Sequence, residues 1–299
     1  MSTRVWIWLL SLSVLWGGSF FFAKVALAEL APLTVVFCRV ALAALALNLV
    51  LTVSGGGLFR PGTPWRSYAM MGLLNNLISF GLIFWGQTQI ASGLASILNA
   101  TTPLFTLVVA HFITHDERIG GLKLGALLIG ISGVAVLIGP DALTTSQGTA
   151  GQIACLGAAL SYAFAGVYGR RFRTMGVTPL DAAAGQVTAS AMLILPIMLL
   201  VDHPWSLAMP PTAITWAALA GLALLSTALA YVLYFRILAV AGATNLLLVT
   251  FLIPVTAILL GALILRERLE PRQFAGMVLI GLALAIMDGR IPRLLRLAK

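Results

Sequence analysis

The chain has 299 residues, 60% of them hydrophobic and only 9% charged, with a mean hydropathy of +1.03. Soluble domains carry about 25% charged residues, so this composition excludes a water-facing globule and makes lipid the solvent of the exterior. The net charge of +9 sits in short spacers between apolar runs, which points to orientation in a bilayer and away from nucleic acid.

A membrane-spanning helix needs about 20 apolar residues. In chain order such runs are Val5–Ala28, Leu33–Val53, Tyr68–Gln89, Leu94–Thr114, Leu122–Gly139, Gln152–Phe172, Leu180–Val201, Ile214–Ile237, Ala243–Leu265 and Phe274–Met287. The expectation is an all-α integral membrane fold of ten transmembrane helices. Turn chemistry separates them: Gly55-Gly56-Gly57, Pro61-Gly62, Gly139-Pro140, Thr178-Pro179, Pro210-Pro211 and Glu270-Pro271. Arg4, the first run and Ala26-Leu27-Ala28 also fit a cleaved leader, which stands as the alternative. The length of the run and Lys24 near its end favour a retained helix. Cys38 and Cys155 lie inside apolar runs without metal-ligand spacing and read as small buried hydrophobes.

With the amino terminus in the cytoplasm, thirteen Lys and Arg fall on inner segments and four, Lys24, Arg266, Arg268 and Arg272, on outer ones. This bias predicts both termini cytoplasmic.

The two halves repeat. Pro103, Asp116, Gly125 and Gly130 return as Pro254, Glu267, Gly276 and Gly281, all at an offset of 151. Pro32 to Arg39 has the spacing of Pro179 to Gln186. The predicted units are residues 1–141 and 148–290, followed by a basic cytoplasmic tail, 291–299. Five spans per half turn the second half upside down, giving two inverted five-helix repeats around a central cavity, the arrangement of secondary transporters.

Polar groups inside lipid are costly, so they mark the chemistry. Pro103 and Pro254 free the carbonyls of Asn99 and Thr250 and are predicted helix kinks or gates, as are Gly17 and Gly18. The expected substrate cavity comprises Trp16, Ser19, Asn75, Ser79, Asn99, Thr102, Tyr162, Tyr231, Tyr234 and Thr250, with Trp16 and Tyr162 as a symmetric aromatic pair. Thr227 shares a face with Tyr231. Lys24, Arg39 and His111 are candidates for a proton or charge role. Lys24 is expected to reach toward Glu29, and Arg39 a helix-end carbonyl. Every carboxylate falls at a span end or in a loop, which favours facilitated diffusion or weak proton coupling. His111 and His115 precede Asp116-Glu117 without a further ligand set, so no metal and no cofactor is expected. A nucleophile–base pair is also missing, which argues against an enzyme.

These landmarks resemble the drug/metabolite transporter superfamily and its EamA-type ten-helix exporters. The residues are Trp16-Gly17-Gly18-Ser19-Phe20 with Lys24, Pro32 and Arg39, Gln89-Ile90-Ala91-Ser92-Gly93-Leu94-Ala95, Pro103-Leu104-Phe105, Asp116-Glu117-Arg118, Pro254 and Glu267-Arg268-Leu269. The resemblance implies alternating-access export of small metabolites across a bacterial-type inner (plasma) membrane, amino acids first, as in the YddG-type branch. Export of drugs, nucleosides or nucleobases on the same fold is the alternative within the class, and an integral membrane enzyme the alternative outside it. Partners would be the lipid bilayer and a small-molecule substrate, with the chain a monomer or weak homodimer.

Overall fold

The structure, a computed structural model, describes residues 3–114, 119–139, 148–207, 209–246 and 248–287. Among them, eight helices are long and apolar enough to cross a bilayer. These are α1 (Thr3–Ala26), α2 (Pro32–Val53), α3 (Trp65–Gln87), α4 (Ser92–Ile113), α5 (Gly121–Ile138), α6 (Thr149–Thr174), α7 (Pro179–Val201) and α8, which begins as Ala213–Tyr234. Two shorter apolar helices follow, α9 (Leu248–Leu263) and α10 (Pro271–Met287). The landmark Asp116, His115 and the tail 291–299 lie outside the described residues.

Two expected boundaries differ. The eighth helix continues to Leu246, past the expected end at Ile237, because the stretch Val240-Ala241-Gly242-Ala243 carries no proline to stop it. The fourth span is two half-helices, Ser92–Asn99 and Thr102–Ile113. Pro103 lies in the first turn of the second half, where a missing N–H costs nothing, and the Thr102 hydroxyl takes the freed carbonyl of Asn99 at 2.7 Å. Its counterpart Pro254 instead lies inside an unbroken helix. Equivalent positions of the two halves therefore hold different backbones.

Helix contacts are preserved when the halves are exchanged: α1 packs on α9 as α6 packs on α4, and α3 on α6 as α8 on α1. The helices that map onto each other, α2 with α7 and α5 with α10, also pack on each other, and α5 with α10 forms the most extensive interface among the described residues. Both pairs run antiparallel. On α2 and α7, Thr34 meets Asp202 and Asn48 meets Thr188. On α5 and α10, Gly133 lies against Leu279 and Ile280, and Leu137 against Gly276. Equivalent helices that pack together in opposite directions relate the halves by a two-fold axis passing between them. The α5–α10 contact is backbone on backbone, since a Cβ at Gly276 would stand 2.7 Å from the Gly133 carbonyl.

A second repeat signature is geometric. α3 contains a π-helical segment, Leu73–Ile78, and α8 contains another, Gly221–Leu229. Shifted by 151, the first falls within the second. π turns leave carbonyls without their usual partner. In α3 the Leu74 carbonyl is taken by Ser79 and Ser161 hydroxyls at 2.8 and 2.7 Å, and in α8 the Leu222 carbonyl by Thr227 at 2.8 Å.

α1 runs unbroken through Gly17 and Gly18. Gly17 permits close approach: a Cβ there would meet Thr256 Cβ at 2.6 Å and the Ile253 carbonyl at 2.9 Å on α9, whereas one at Gly18 would meet nothing nearer than 3.8 Å. Gly17→Ala should therefore destabilise the protein by about 1–3 kcal/mol, the usual cost of overpacking, and Gly18→Ala should not. Thermal unfolding in detergent checks this; equal midpoints for both variants would refute the α1–α9 contact.

Candidate functional site

Part of the expected polar set, Arg39, Ser19, Asn75, Thr227 and Tyr231, converges where α1, α2, α3, α7 and α8 meet. Arg39 is 5% exposed. Its Nε donates to Thr227 Oγ1 on α8 and Nη1 to Ser19 Oγ on α1, each at 3.0 Å. The guanidinium lies 3.9 Å over the Phe80 ring of α3, with Phe84 at 5.8 Å. Tyr162 of α6 packs edge-on against Phe80 at 6.2 Å. Among the described residues no carboxylate lies within ion-pair distance of Arg39. The helix-end carbonyl expected as its partner is replaced by two neutral hydroxyls and an aromatic face, because α1 and α8 bring their π-turn and glycine-flanked hydroxyls to the middle of the bundle.

Across the two-fold axis stands the equivalent set. Gln186, the counterpart of Arg39, donates to Tyr231 OH at 3.1 Å, and Tyr231 follows Phe80 by 151 residues. Asn75 Nδ2 donates to Gln186 Oε1 at 3.2 Å and reaches Tyr231 OH at 3.5 Å. A cation on an aromatic face in one half thus corresponds to an amide on a phenol in the other.

Similarity to known proteins across both halves agrees with this symmetry: a family model for the EamA-like transporter family matches residues 3–139 and again 149–287. The chain belongs to the EamA-like transporter family. It is 28% identical to the uncharacterized transporter YoaV of Bacillus subtilis over 93% of this chain and 94% of that one. It is also 28% identical to a probable amino-acid metabolite efflux pump of Escherichia coli, over 94% and 93%. The uncharacterized inner membrane transporter YedA of Escherichia coli is 27% identical over 93% and 89%. A crystal structure at 18% identity superposes with a TM-score of 0.66 over 96% of this chain and 98% of that one, which carries the fold alone.

Other residues of this EamA-like transporter fall around or away from the Arg39 cluster. Ser79 donates to the Leu74 and Ala158 carbonyls and fastens α3 to α6. Trp16 packs on Tyr234 at 5.7 Å rather than on Tyr162. Asn99 keeps a buried Oδ1 without a partner, beside the break in α4, and Thr250 is half-buried on α9. His111 lies in the last turn of α4, its Nδ1 accepting the Ile119 N–H at 3.2 Å. An open groove of about 550 Å³ between Ile7, Leu10, Val14 and Leu229 is lined almost wholly by aliphatics on the outside of the bundle and faces lipid.

One end of the bundle is fastened by charges that the sequence reading did not pair. Asp202 accepts the Thr34 N–H and hydroxyl at 2.6 and 2.9 Å at the start of α2. Glu29 accepts the Thr212 N–H and hydroxyl, both at 2.8 Å, at the start of α8. Glu267 accepts the Ser92 N–H at 2.9 Å and its hydroxyl at 2.6 Å at the start of α4. Each carboxylate meets the unpaired amides and positive dipole end of another helix. Lys24 does the converse. It donates to the carbonyls of Gln87 and Ile90, at 2.5 and 2.9 Å, at the end of α3 and does not reach Glu29. The Thr212 amide and hydroxyl hold the Glu29 carboxyl below the usual carboxylate range, so its tie is present at neutral pH and lost as pH falls through that lowered value. Among the described residues the opposite end has no carboxylate tie between helices; it is packed by Trp65, Tyr68 and Phe172.

Glu267→Ala takes the acceptor from the Ser92 N–H and hydroxyl and from the Gly93 N–H, on two buried residues, and should cost about 1–3 kcal/mol. Glu270→Ala, which removes an exposed ion pair with Arg272, should cost about 0–1 kcal/mol. Thermal unfolding of both variants measures the difference, and equal losses would contradict the capping role of Glu267.

Proposed function

We propose that the protein exports small metabolites, amino acids foremost, across a bacterial-type inner membrane by alternating access. Ten spans form two inverted repeats, with both termini in the cytoplasm, and the substrate site is the polar cluster at Arg39, Asn75, Gln186, Thr227 and Tyr231. One observation carries this reading: buried polar groups from both halves meet on the two-fold axis, midway along the helices. Residues that served only to hold helices together would not need a charge there. Inverted repeats place a substrate at this point because exchanging the conformations of the halves opens it to either side.

The backbone difference between Pro103 and Pro254 is what such an exchange requires. In the proposed orientation the carboxylate-tied end is the outer one, so the structure is closed to the outside. Opening outward means releasing the Glu267 cap on α4 and sliding α4 against α9. The name of the Escherichia coli efflux pump supports amino acids as cargo. Among the described residues the cluster holds no buried acid, which supports facilitated transport or weak proton coupling.

Counterflow of radiolabelled amino acids in proteoliposomes tests the function. Exchange well above protein-free vesicles is expected, and silence across the amino acids would refute amino-acid export. The gate has its own test. A Cβ at Gly93 would lie 3.4 Å from Ile258 Cα, within disulfide reach. Gly93→Cys with Ile258→Cys, in a background lacking Cys38 and Cys155, should lose transport on oxidation and regain it on reduction. Full crosslinking with undiminished transport would show that α4 and α9 do not move apart.

A further inference from the structure

Arginine carries five N–H donors in one plane. In Arg39 one is given to Thr227 and one to Ser19, and the other three have no hydrogen-bond partner among the described residues. Phe80 covers a face of the guanidinium, so what is left is its edge, with adjacent donors on the two terminal nitrogens. That edge has the geometry that takes both oxygens of a carboxylate at once. The charge is uncompensated as well: both hydroxyl partners are neutral, and a cation in the membrane interior costs roughly 2.5–3.5 kcal/mol even on lenient scales. A monoanion arriving from water would lose its own hydration but find a fixed countercharge already stripped of water.

We infer that Arg39 is the carboxylate anchor of the transport site and sets its substrate class: small monocarboxylates, zwitterionic amino acids included, with esters, amides and lipophilic cations excluded. This rests on the transporter reading above. Charge balance selects the class. One guanidinium matches one negative charge, whereas a dianionic phosphate would leave one charge over, and a cationic drug would face repulsion at low dielectric. The side-chain oxygens of Gln186 and Asn75 across the axis are acceptors suited to an ammonium group. Gln186 occupies the symmetric place and carries no charge, so the site is polar at both ends but cationic at one.

The experiment is counterflow in proteoliposomes with leucine, phenylalanine and threonine, each against its own carboxamide, for wild type, Arg39→Lys and Arg39→Gln. Wild type should move the amino acids at least tenfold faster than their amides. Arg39→Gln should lose amino-acid transport at least tenfold, and Arg39→Lys, which keeps the charge without the fork, should lie between. Leucine should raise the unfolding temperature of wild type and leave that of Arg39→Gln unmoved, and leucinamide should raise neither. The comparison of acid with amide needs only wild type, so it decides the matter even if a variant fails to fold. Equal transport of amides and acids by wild type overturns the Arg39 assignment while leaving the transporter reading standing. Silence of wild type toward every amino acid and amide overturns both.

Discussion

A positive charge buried in the middle of a membrane bundle is the constraint around which the rest of this protein is arranged. Arg39 cannot shed its proton and has no acid beside it among the described residues, so neighbouring helices must supply what stabilisation they can. α1 gives a hydroxyl, α8 gives a hydroxyl, and α3 gives an aromatic face. These three contacts gather three helices from both halves around α2. Each is weaker than an ion pair, and that weakness matters. A carboxylate would hold Arg39 permanently and leave it nothing to offer an anion.

The two-fold relation sets this charge beside the centre of the bundle. Helices that correspond between repeats pack antiparallel at α2–α7 and α5–α10, so the axis runs through the bundle centre, with Arg39 on one side and Gln186 on the other. The π segments of α3 and α8 carry Asn75 and Thr227 to that centre, and their extra residue per turn is absorbed by hydroxyls from Ser79, Ser161 and Thr227. At the tied end, Asp202, Glu29 and Glu267 satisfy helix N-termini. Contacts of this kind are made and broken as units, because removing the acid leaves several amides bare together. They suit a gate better than apolar packing, which loosens gradually.

Much of this could be read before the fold was seen. Hydropathy marked the helices, the prolines and glycines marked the repeat, and the cost of polarity in lipid singled out Arg39, Asn75 and Tyr231. What stayed hidden depends on contacts between distant residues. Nothing local pairs Asp202 with Thr34 or Glu267 with Ser92, since a carboxylate in a loop reads as a solvated charge until the helix it caps is found. Phe80 went unnoticed because a phenylalanine in an apolar run looks like any other; its counterpart Tyr231, 151 residues on, was the available signal. The π segments have no composition of their own. The two prolines looked equivalent and are not, because a sequence repeat cannot record a difference in conformation between its halves.

The central claim is that the Arg39 cluster is reached from each side of the membrane in turn. It is tested most directly with Ser19→Cys, in a chain lacking Cys38 and Cys155, labelled by a membrane-impermeant maleimide in right-side-out and inside-out vesicles. The account predicts labelling in both preparations, slowed in each by leucine. Labelling in neither, or labelling that leucine does not slow, would contradict it.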